Sequence, residues 1–468
     1  MQRWGIGAGR KLVLYDQGAD MMATRLFFDL YHHGVPLKDL HILDGGLARW
    51  RASGGAVTQQ ATPAPPQGDI QVQALREEVR VRLPEFLGAS GDPQNHVLVE
   101  GLGLDYHFGA QQFFGRAGHV PGAVAMPFSD FFNADKTFKS AAELQRMLRY
   151  HRIGPQQVLH THCGGGVAAS VPWFALRFLA DHPRVTLYLE SQQEWLRDDR
   201  DLPFFTYSAP QLLRSSAWVN GWNSPMQRAI GASRLNLVDL REPVAFAGGH
   251  VPFSINLPAS SVAETLQNPG DLARRLGQAG VNPQHELVLV GERGLTPATA
   301  LAFVALHRAG HPKLSLLTDS VDEWGLLGLG LQKSQPPTAN EASSSRVRAL
   351  PDSAQQRAGV SVSDALSTRG EYPKVYVDAS DGSAAGAGAA LMSAQLPAGA
   401  QVLQLPYRSL LRANGLPKPA KELWALFEQA GVPRYAELML FAAQPGEAAV
   451  NYFIFKLMGW PDVKLWLR

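Results

Sequence analysis

Apolar residues along this chain come in short unbroken runs, separated by stretches in which they recur every three or four positions, and the two patterns alternate almost from end to end. The runs predict buried strands and the periodic stretches predict amphipathic helices. Lys11-Leu12-Val13-Leu14-Tyr15-Asp16 reads as a strand, and Ala19 to His33, with Met22, Leu26, Phe27 and Leu30 at helical spacing, as the helix after it. Leu40-His41-Ile42-Leu43 is a second strand, ended by the turn Asp44-Gly45-Gly46 and a short helix around Leu47 and Trp50.

The same order returns three times. After Leu159-His160-Thr161-His162-Cys163 come a helix near Pro172 to Leu179, the strand Val185 to Leu189, and Trp195. After Glu286 to Glu292 come a helix from Pro297 to about Ala309, the strand Leu314 to Leu317, and Trp324. Leu438 to Ala443, a helix near Ala448 to Met458, and Val463 to Trp466 close the chain. From Asp16 to Trp50 is 34 residues, and both Cys163 to Trp195 and Glu292 to Trp324 are 32, which aligns Asp16 and Glu292 with Cys163; the separations from the preceding Pro, 36 for Pro127 to Cys163 and 37 for Pro406 to Ala443, add Ala443. The stretches ahead of the loops match as well: Gly118-His119-Val120-Pro121-Gly122-Ala123 resembles Gly249-His250-Val251-Pro252, and more faintly Leu396 to Tyr407. One domain is written repeatedly.

Strands alternating with helices over short connections predict an α/β fold, each repeat a mainly parallel sheet with helices on both faces. In such sheets ligands lie at the carboxyl ends of the strands, where Cys163 falls. Linker composition divides the chain. Ala61 to Pro66 is a stiff joint, Ser208-Ala209-Pro210 another, and 335–345 a polar connector. The domains expected are 1–66, 69–207, 208–333 and 346–468. The first lacks the counterpart of Asp69 to Leu148, which reads as a truncated unit, or else as a degenerate half-domain docked on its neighbour.

Composition narrows the function. At 468 residues the chain exceeds one core, and 43 basic against 41 acidic residues favour neither a nucleic-acid surface nor a membrane patch. No run approaches a membrane span and the start lacks an apolar signal core, so a cytoplasmic protein is expected. The single cysteine forbids an intrachain disulfide and leaves Cys163 either a buried structural thiol or a nucleophile.

The residues after Cys163 favour the nucleophile. Gly164, Gly165 and Gly166 can turn backbone N–H groups inward around one atom, and a following helix adds its unpaired N–H groups and positive dipole end. Such a bowl favours a thiolate, a persulfide or an oxyanion. Arg116 and His119 precede the Pro121 turn; Arg116 is a candidate for binding a donor anion or a solvated charge, and His119 a candidate for the pocket or a hydrogen bond that fixes the loop. His160 and His162 share one side of their strand, but a metal there lacks third and fourth ligands. His162-Cys163 with five further residues matches the start of a cysteine-phosphatase motif, yet position 169, where the phosphate-clamping Arg belongs, is Ala169.

Taken together, the Gly-His-Val-Pro-Gly-Ala segment, the strand ending in Cys before a glycine loop, and the closing strand with its Trp resemble the rhodanese family of sulfurtransferases. The chain is similar to a tandem of three complete rhodanese-like units and one partial unit, with the nucleophile kept only at Cys163. The resemblance implies a ping-pong transfer in which Cys163 takes sulfur from thiosulfate or 3-mercaptopyruvate as a transient persulfide, with no other cofactor. Cyanide or a thiol then accepts it, and a thioredoxin-like protein is one such acceptor. Gly164, Gly165, Gly166, Val167 and Ala168, with Arg116, are the implied donor-binding residues. The loop departs from family patterns in carrying neither charge nor hydroxyl, and Glu100 replaces the Asp of an Asp-x-Arg such as Asp239-Leu240-Arg241. The alternative is a scaffold of degenerate units, or a sulfur-carrier or binding protein, in which carboxylates plug the empty bowls.

Overall fold

The computed structural model describes residues 1–71, 74–333, 359–360, 370–382 and 395–466; the connector 335–345 and the expected start of the last domain at 346 lie outside them. The chain forms two compact units, Met1–Ser208 and Ala209–Arg468.

In the first unit, β1 (Leu12–Leu14) and β2 (Leu40–Ile42) make a two-stranded parallel sheet flanking α1 (Met22–His32). A five-stranded sheet follows in the order β3-β7-β6-β4-β5, from β3 (Arg80–Val81), β4 (His96–Glu100), β5 (Val124–Ala125), β6 (Val158–His162) and β7 (Val185–Tyr188), all paired in parallel. Its helices include α2 (Leu83–Ser90), α3 (Ala141–Tyr150), α4 (Ser170–Phe174) and α5 (Ser191–Trp195). Ser140 and Glu143 form a reciprocal capping box that starts α3 by satisfying N–H groups the helix cannot. Strand β6 is central and almost wholly buried, as a strand paired on both sides and covered on both faces must be. The chain runs from β4 outward to β5 and from β6 the other way to β7, so Cys163 emerges at the point where the strand order reverses.

The N-terminal element is not loose. Phe27 and Phe28 on α1 are buried and meet Trp173 at ring-centroid distances of 6.4 and 4.8 Å, and Phe27 also packs on Phe174 and Phe178. Buried edge-to-face pairs of this kind add stabilisation beyond their area. Thr24 Oγ1 shares a buried hydrogen bond of 2.8 Å with Ser170 Oγ at the start of α4. The half-domain is thus docked on the helix that follows the Cys163 loop. Within that region the expected helix Pro172 to Leu179 is split, with α4 giving way to a π-helical turn at Ala175–Leu179.

The second unit holds two further five-stranded parallel sheets. One has β8 (Leu213–Arg214), β9 (Leu235–Asp239), β10 (Ser254–Asn256), β11 (Glu286–Val290) and β12 (Leu314–Leu317) in the order β10-β9-β11-β12-β8. The other has β13 (Gly359–Val360), β14 (Lys374–Asp378), β15 (Val402–Gln404), β16 (Glu437–Phe441) and β17 (Val463–Trp466) in the order β13-β17-β16-β14-β15. Helices α6 (Pro297–Arg308) and α7 (Pro445–Leu457) pack together, and a Cβ at Gly446 would lie 2.8 Å from the Pro297 carbonyl oxygen, so glycine permits the approach.

The registers revise the alignment of the repeats. Leu159 pairs with Val185, Leu12 with Leu40, Leu287 with Leu314 and Leu438 with Val463, and Cys163 stands four residues beyond the first member of its pair. Asp16 therefore does match Cys163, but the other counterparts are Gly291 and Ala442, one residue before Glu292 and Ala443. Tryptophan spacing misses this because the connection between the two paired strands is one residue longer from Leu287 to Leu314 than from Leu159 to Val185.

Replacing Phe28 by Ala is expected to cost the first unit about 3–5 kcal/mol, seen as a lowered melting or urea transition; an unchanged transition would show that α1 is not part of that core.

Candidate active site

Cys163 sits just past β6 and is only 1% exposed. Its peptide is gripped from both sides: its N–H donates to Ser191 Oγ at 3.0 Å, and its carbonyl accepts from the Gln192 N–H at 3.0 Å. The Gln193 N–H bonds the Gly164 carbonyl in the same way. Ser191 holds this position with φ near 53°, a left-handed backbone that a non-glycine residue adopts at a cost, and its hydroxyl also donates to the Tyr188 carbonyl at 2.7 Å.

The loop is narrower in function than three glycines imply. Among the described residues, one backbone N–H reaches the sulfur, that of Gly166, at 3.1 Å from Sγ. Gly166 has φ near 77°, and a Cβ there would lie 2.2 Å from the Leu189 carbonyl oxygen, so the donor is placed by a backbone only glycine can supply. Gly165 is exposed, and Gly164 is buried beneath Phe113, whose ring a Cβ at 164 would meet at 3.2 Å. Phe113 stacks on Tyr106 at 4.4 Å. The Val167 carbonyl accepts from both the N–H and the hydroxyl of Ser170, and the Ala168 carbonyl accepts from the Val171 N–H. The expected helix dipole is displaced, because α4 begins only at Ser170 and is five residues long.

Arg116 is directed away from the loop in its recorded bonds: Nη2 donates to the Leu202 carbonyl at 2.7 Å and Nη1 pairs with Asp201 at 3.1 Å. A cation that the sequence did not single out reaches the loop instead. Arg25, on α1 of the docked half-domain, donates to the Gly166 carbonyl at 3.3 Å and pairs with Asp29. Of the expected carboxylate plugs, Asp16 accepts from the Gly18 and Ala23 N–H groups at 2.9 and 3.0 Å. Glu292 is exposed and is no plug; the loop's Leu295 N–H goes to the Gly415 carbonyl, and Thr296 caps α6.

Behind the loop lies a buried polar cluster. Glu100, fully buried, accepts from Gln192 Nε2 at 2.5 Å and lies 2.5 Å from His107 Nδ1, while His107 Nε2 contacts Ser208 Oγ at 2.9 Å. His119 stacks on His107 with centroids 3.5 Å apart and bonds the His107 carbonyl, so it fixes the loop. His160 is committed to Thr186 and His96. His162 is buried with neither ring nitrogen hydrogen-bonded. No group of three or more His, Cys, Asp or Glu placed to hold a metal occurs among the described residues. Trp195 is buried in the core, its Nε1 donating to the Pro203 carbonyl.

Comparison with known proteins agrees with this architecture. Residues 224–326 match the Rhodanese-like domain family, a stretch that contains Gly291 rather than Cys163. A Pseudomonas aeruginosa protein named "Probable 3-mercaptopyruvate sulfurtransferase" is 33% identical over 202 residues, 43% of this chain and 69% of that protein. The Thermus thermophilus "Sulfur carrier protein TtuD" is 29% identical over 204 residues, 42% of this chain and 71% of that one. The chain belongs to the rhodanese-like sulfurtransferase family. Among solved structures it is similar to the anaerobic ergothioneine biosynthesis enzyme of Chlorobium limicola, at 14% identity and a TM-score of 0.47, over 83% of this chain and 95% of that one.

Two outcomes follow from this geometry. Gly166→Ala should destabilise the first unit by more than about 1 kcal/mol, since it strains the backbone and strikes Leu189; an unchanged urea midpoint would mean that the loop relaxes freely. Burial holds His119 near pKa 3 and His160 and His162 near 4, so the unfolded chain binds protons from pH 6.5 downward that the native chain refuses. Glu100, its pKa raised by burial, opposes this with a single proton. Stability should therefore fall as pH drops from 6.5 toward 4, by about 1.4 kcal/mol per unit for each net proton, and urea midpoints that stay level across that range would contradict it.

Proposed function

We propose that this protein is a sulfurtransferase that moves sulfane sulfur from thiosulfate or 3-mercaptopyruvate, through a persulfide on Cys163, to a thiol or cyanide, in a reducing cytoplasmic compartment. The observation that carries this reading is the sulfur of the chain's single cysteine at the carboxyl end of β6 with the Gly166 N–H aimed at it. That donor suits a thiolate and equally the anionic sulfur of a persulfide.

The Cys163 thiolate attacks the outer sulfur of the donor and an S–S bond forms. With thiosulfate the donor's own S–S bond breaks and its electron pair leaves on sulfite. With 3-mercaptopyruvate the C–S bond breaks, and the carbon takes a proton to give pyruvate. An acceptor thiolate then attacks the outer sulfur of the persulfide, leaves as its own persulfide and regenerates the Cys163 thiolate; cyanide leaves as thiocyanate. Residues Gly164 to Ala168 enclose the transferred sulfur. The loop has no charge of its own, so the donor's anion is met by guanidinium groups from outside it. Arg25 is bonded to the loop, and Arg116 is the second candidate.

Incubation with either donor followed by intact-mass measurement should show a gain of one sulfur on the wild-type chain, reversed by cyanide or dithiothreitol, and none on Cys163→Ser. Failure of both donors to load Cys163 would sink the transferase reading in favour of a scaffold of rhodanese-like units or a carrier loaded by another protein.

A further inference from the structure

The three larger sheets share a buried acid. Glu100, Asp239 and Asp378 each end the strand next to the one that leads into the loop, opposite His162, Val290 and Phe441, and all three are wholly buried. In the sheet of β9 the acid is neutralised locally: Arg241, two residues on, takes both oxygens of Asp239, with Nη2 at 2.7 Å from Oδ2 and Nε at 3.0 Å from Oδ1. In the Cys163 sheet the residue two positions on is the buried Leu102, and the acid is longer by one methylene. Its oxygens go to His107 and to the Gln192 side chain. Gln192 is the residue whose backbone N–H holds the Cys163 carbonyl, and its neighbour Ser191 holds the Cys163 N–H.

We infer that Glu100 is a positioning residue for the nucleophile: as a neutral carboxylic acid between His107 and Gln192, it locks Gln192 and thereby fixes the Cys163 peptide without placing a negative charge beside a thiolate. The inference rests on Cys163 being the nucleophile. The hydrogen-bond roles are mutually consistent. Glu100 donates its proton to His107 Nδ1 and accepts from Gln192 with its other oxygen, while His107 Nε2–H donates to Ser208 Oγ. The groups facing the carboxyl are His107 from the helix Leu104–His107, His119 from the following loop, His162 from β6 and Gln192 from α5, and no lysine or arginine is recorded among them. Burial favours the protonated acid, and it keeps His119 and His162 neutral. A charged carboxylate here would oppose thiolate formation, whereas a neutral one bonded on both oxygens is rigid and electrically silent.

The test uses the full chain, whose single cysteine makes iodoacetamide alkylation specific to Cys163, with its rate followed against pH. Glu100→Gln reproduces the donor and acceptor pattern of the neutral acid and should keep the alkylation midpoint within about 0.3 pH units of wild type. Gln192→Glu, which sets a second carboxyl against the first, should raise that midpoint by about one unit or more. Gln192→Met, which keeps the volume but loses the bond, should lower kcat for the donor about tenfold or more with KM little changed, because positioning is lost rather than binding. A midpoint in Glu100→Gln that falls by half a unit or more, or a Gln192→Met enzyme with wild-type kcat, would overturn the inference. Melting transitions identify variants that fail to fold, and Glu100→Gln, the most conservative, keeps the test open. Alkylation needs only a thiol. If no donor loads Cys163, the Glu100→Gln and Gln192→Glu midpoints still decide the matter; if donors load it and the variants behave as wild type, the positioning role fails alone.

Discussion

Two backbone hydrogen bonds on one residue hold Cys163 in place. The N–H of Cys163 is tied to Ser191 Oγ and its carbonyl to the Gln192 N–H, so the residue is suspended between β6 and the start of α5. Both partners come from a segment about thirty residues downstream, and the sheet brings it back because β7 pairs in parallel with β6. With the peptide fixed, the left-handed turn at Gly166 can aim one N–H at the sulfur. A side chain whose own backbone is fixed on both sides has little orientational freedom left to lose.

The same parallel frame, repeated, does different work around the molecule. In the N-terminal element Asp16 stands in the place of Cys163 and satisfies local N–H groups with its own carboxylate. In the sheet of β11 the place is taken by Gly291, and the loop's N–H groups are used for packing. A bowl of backbone donors is a liability unless something anionic or a neighbouring carbonyl fills it, and each copy resolves this in its own way. The half-domain adds one further element: Arg25, a cation bonded to an otherwise uncharged loop.

Much of this was written in local sequence. Strand runs, helical spacing and the recurring Trp reveal the repeat and the α/β class, because buried strands and amphipathic helices are set by residues close together in the chain. Cys163 and its glycines mark themselves for the same reason, since a strand, a thiol and residues free to take positive φ lie within a few positions. The limits are just as physical. Aligning the copies by tryptophan and proline spacing placed Glu292 and Ala443 opposite Cys163, one residue too late, because register is a property of paired strands and the connections between them vary in length.

The sequence alone therefore determined the repeated fold, the family and the place of Cys163 at the carboxyl end of β6. Tertiary structure decided which groups surround that place. Glu100 and Gln192 are 92 residues apart, Arg25 and Gly166 are 141 apart, and nothing in either local pattern pairs them. It also turned Arg116 toward Leu202 and Asp201 and left a single backbone N–H on the sulfur. Periodicity encodes which face of an element is buried; it does not encode which distant side chain will meet it there.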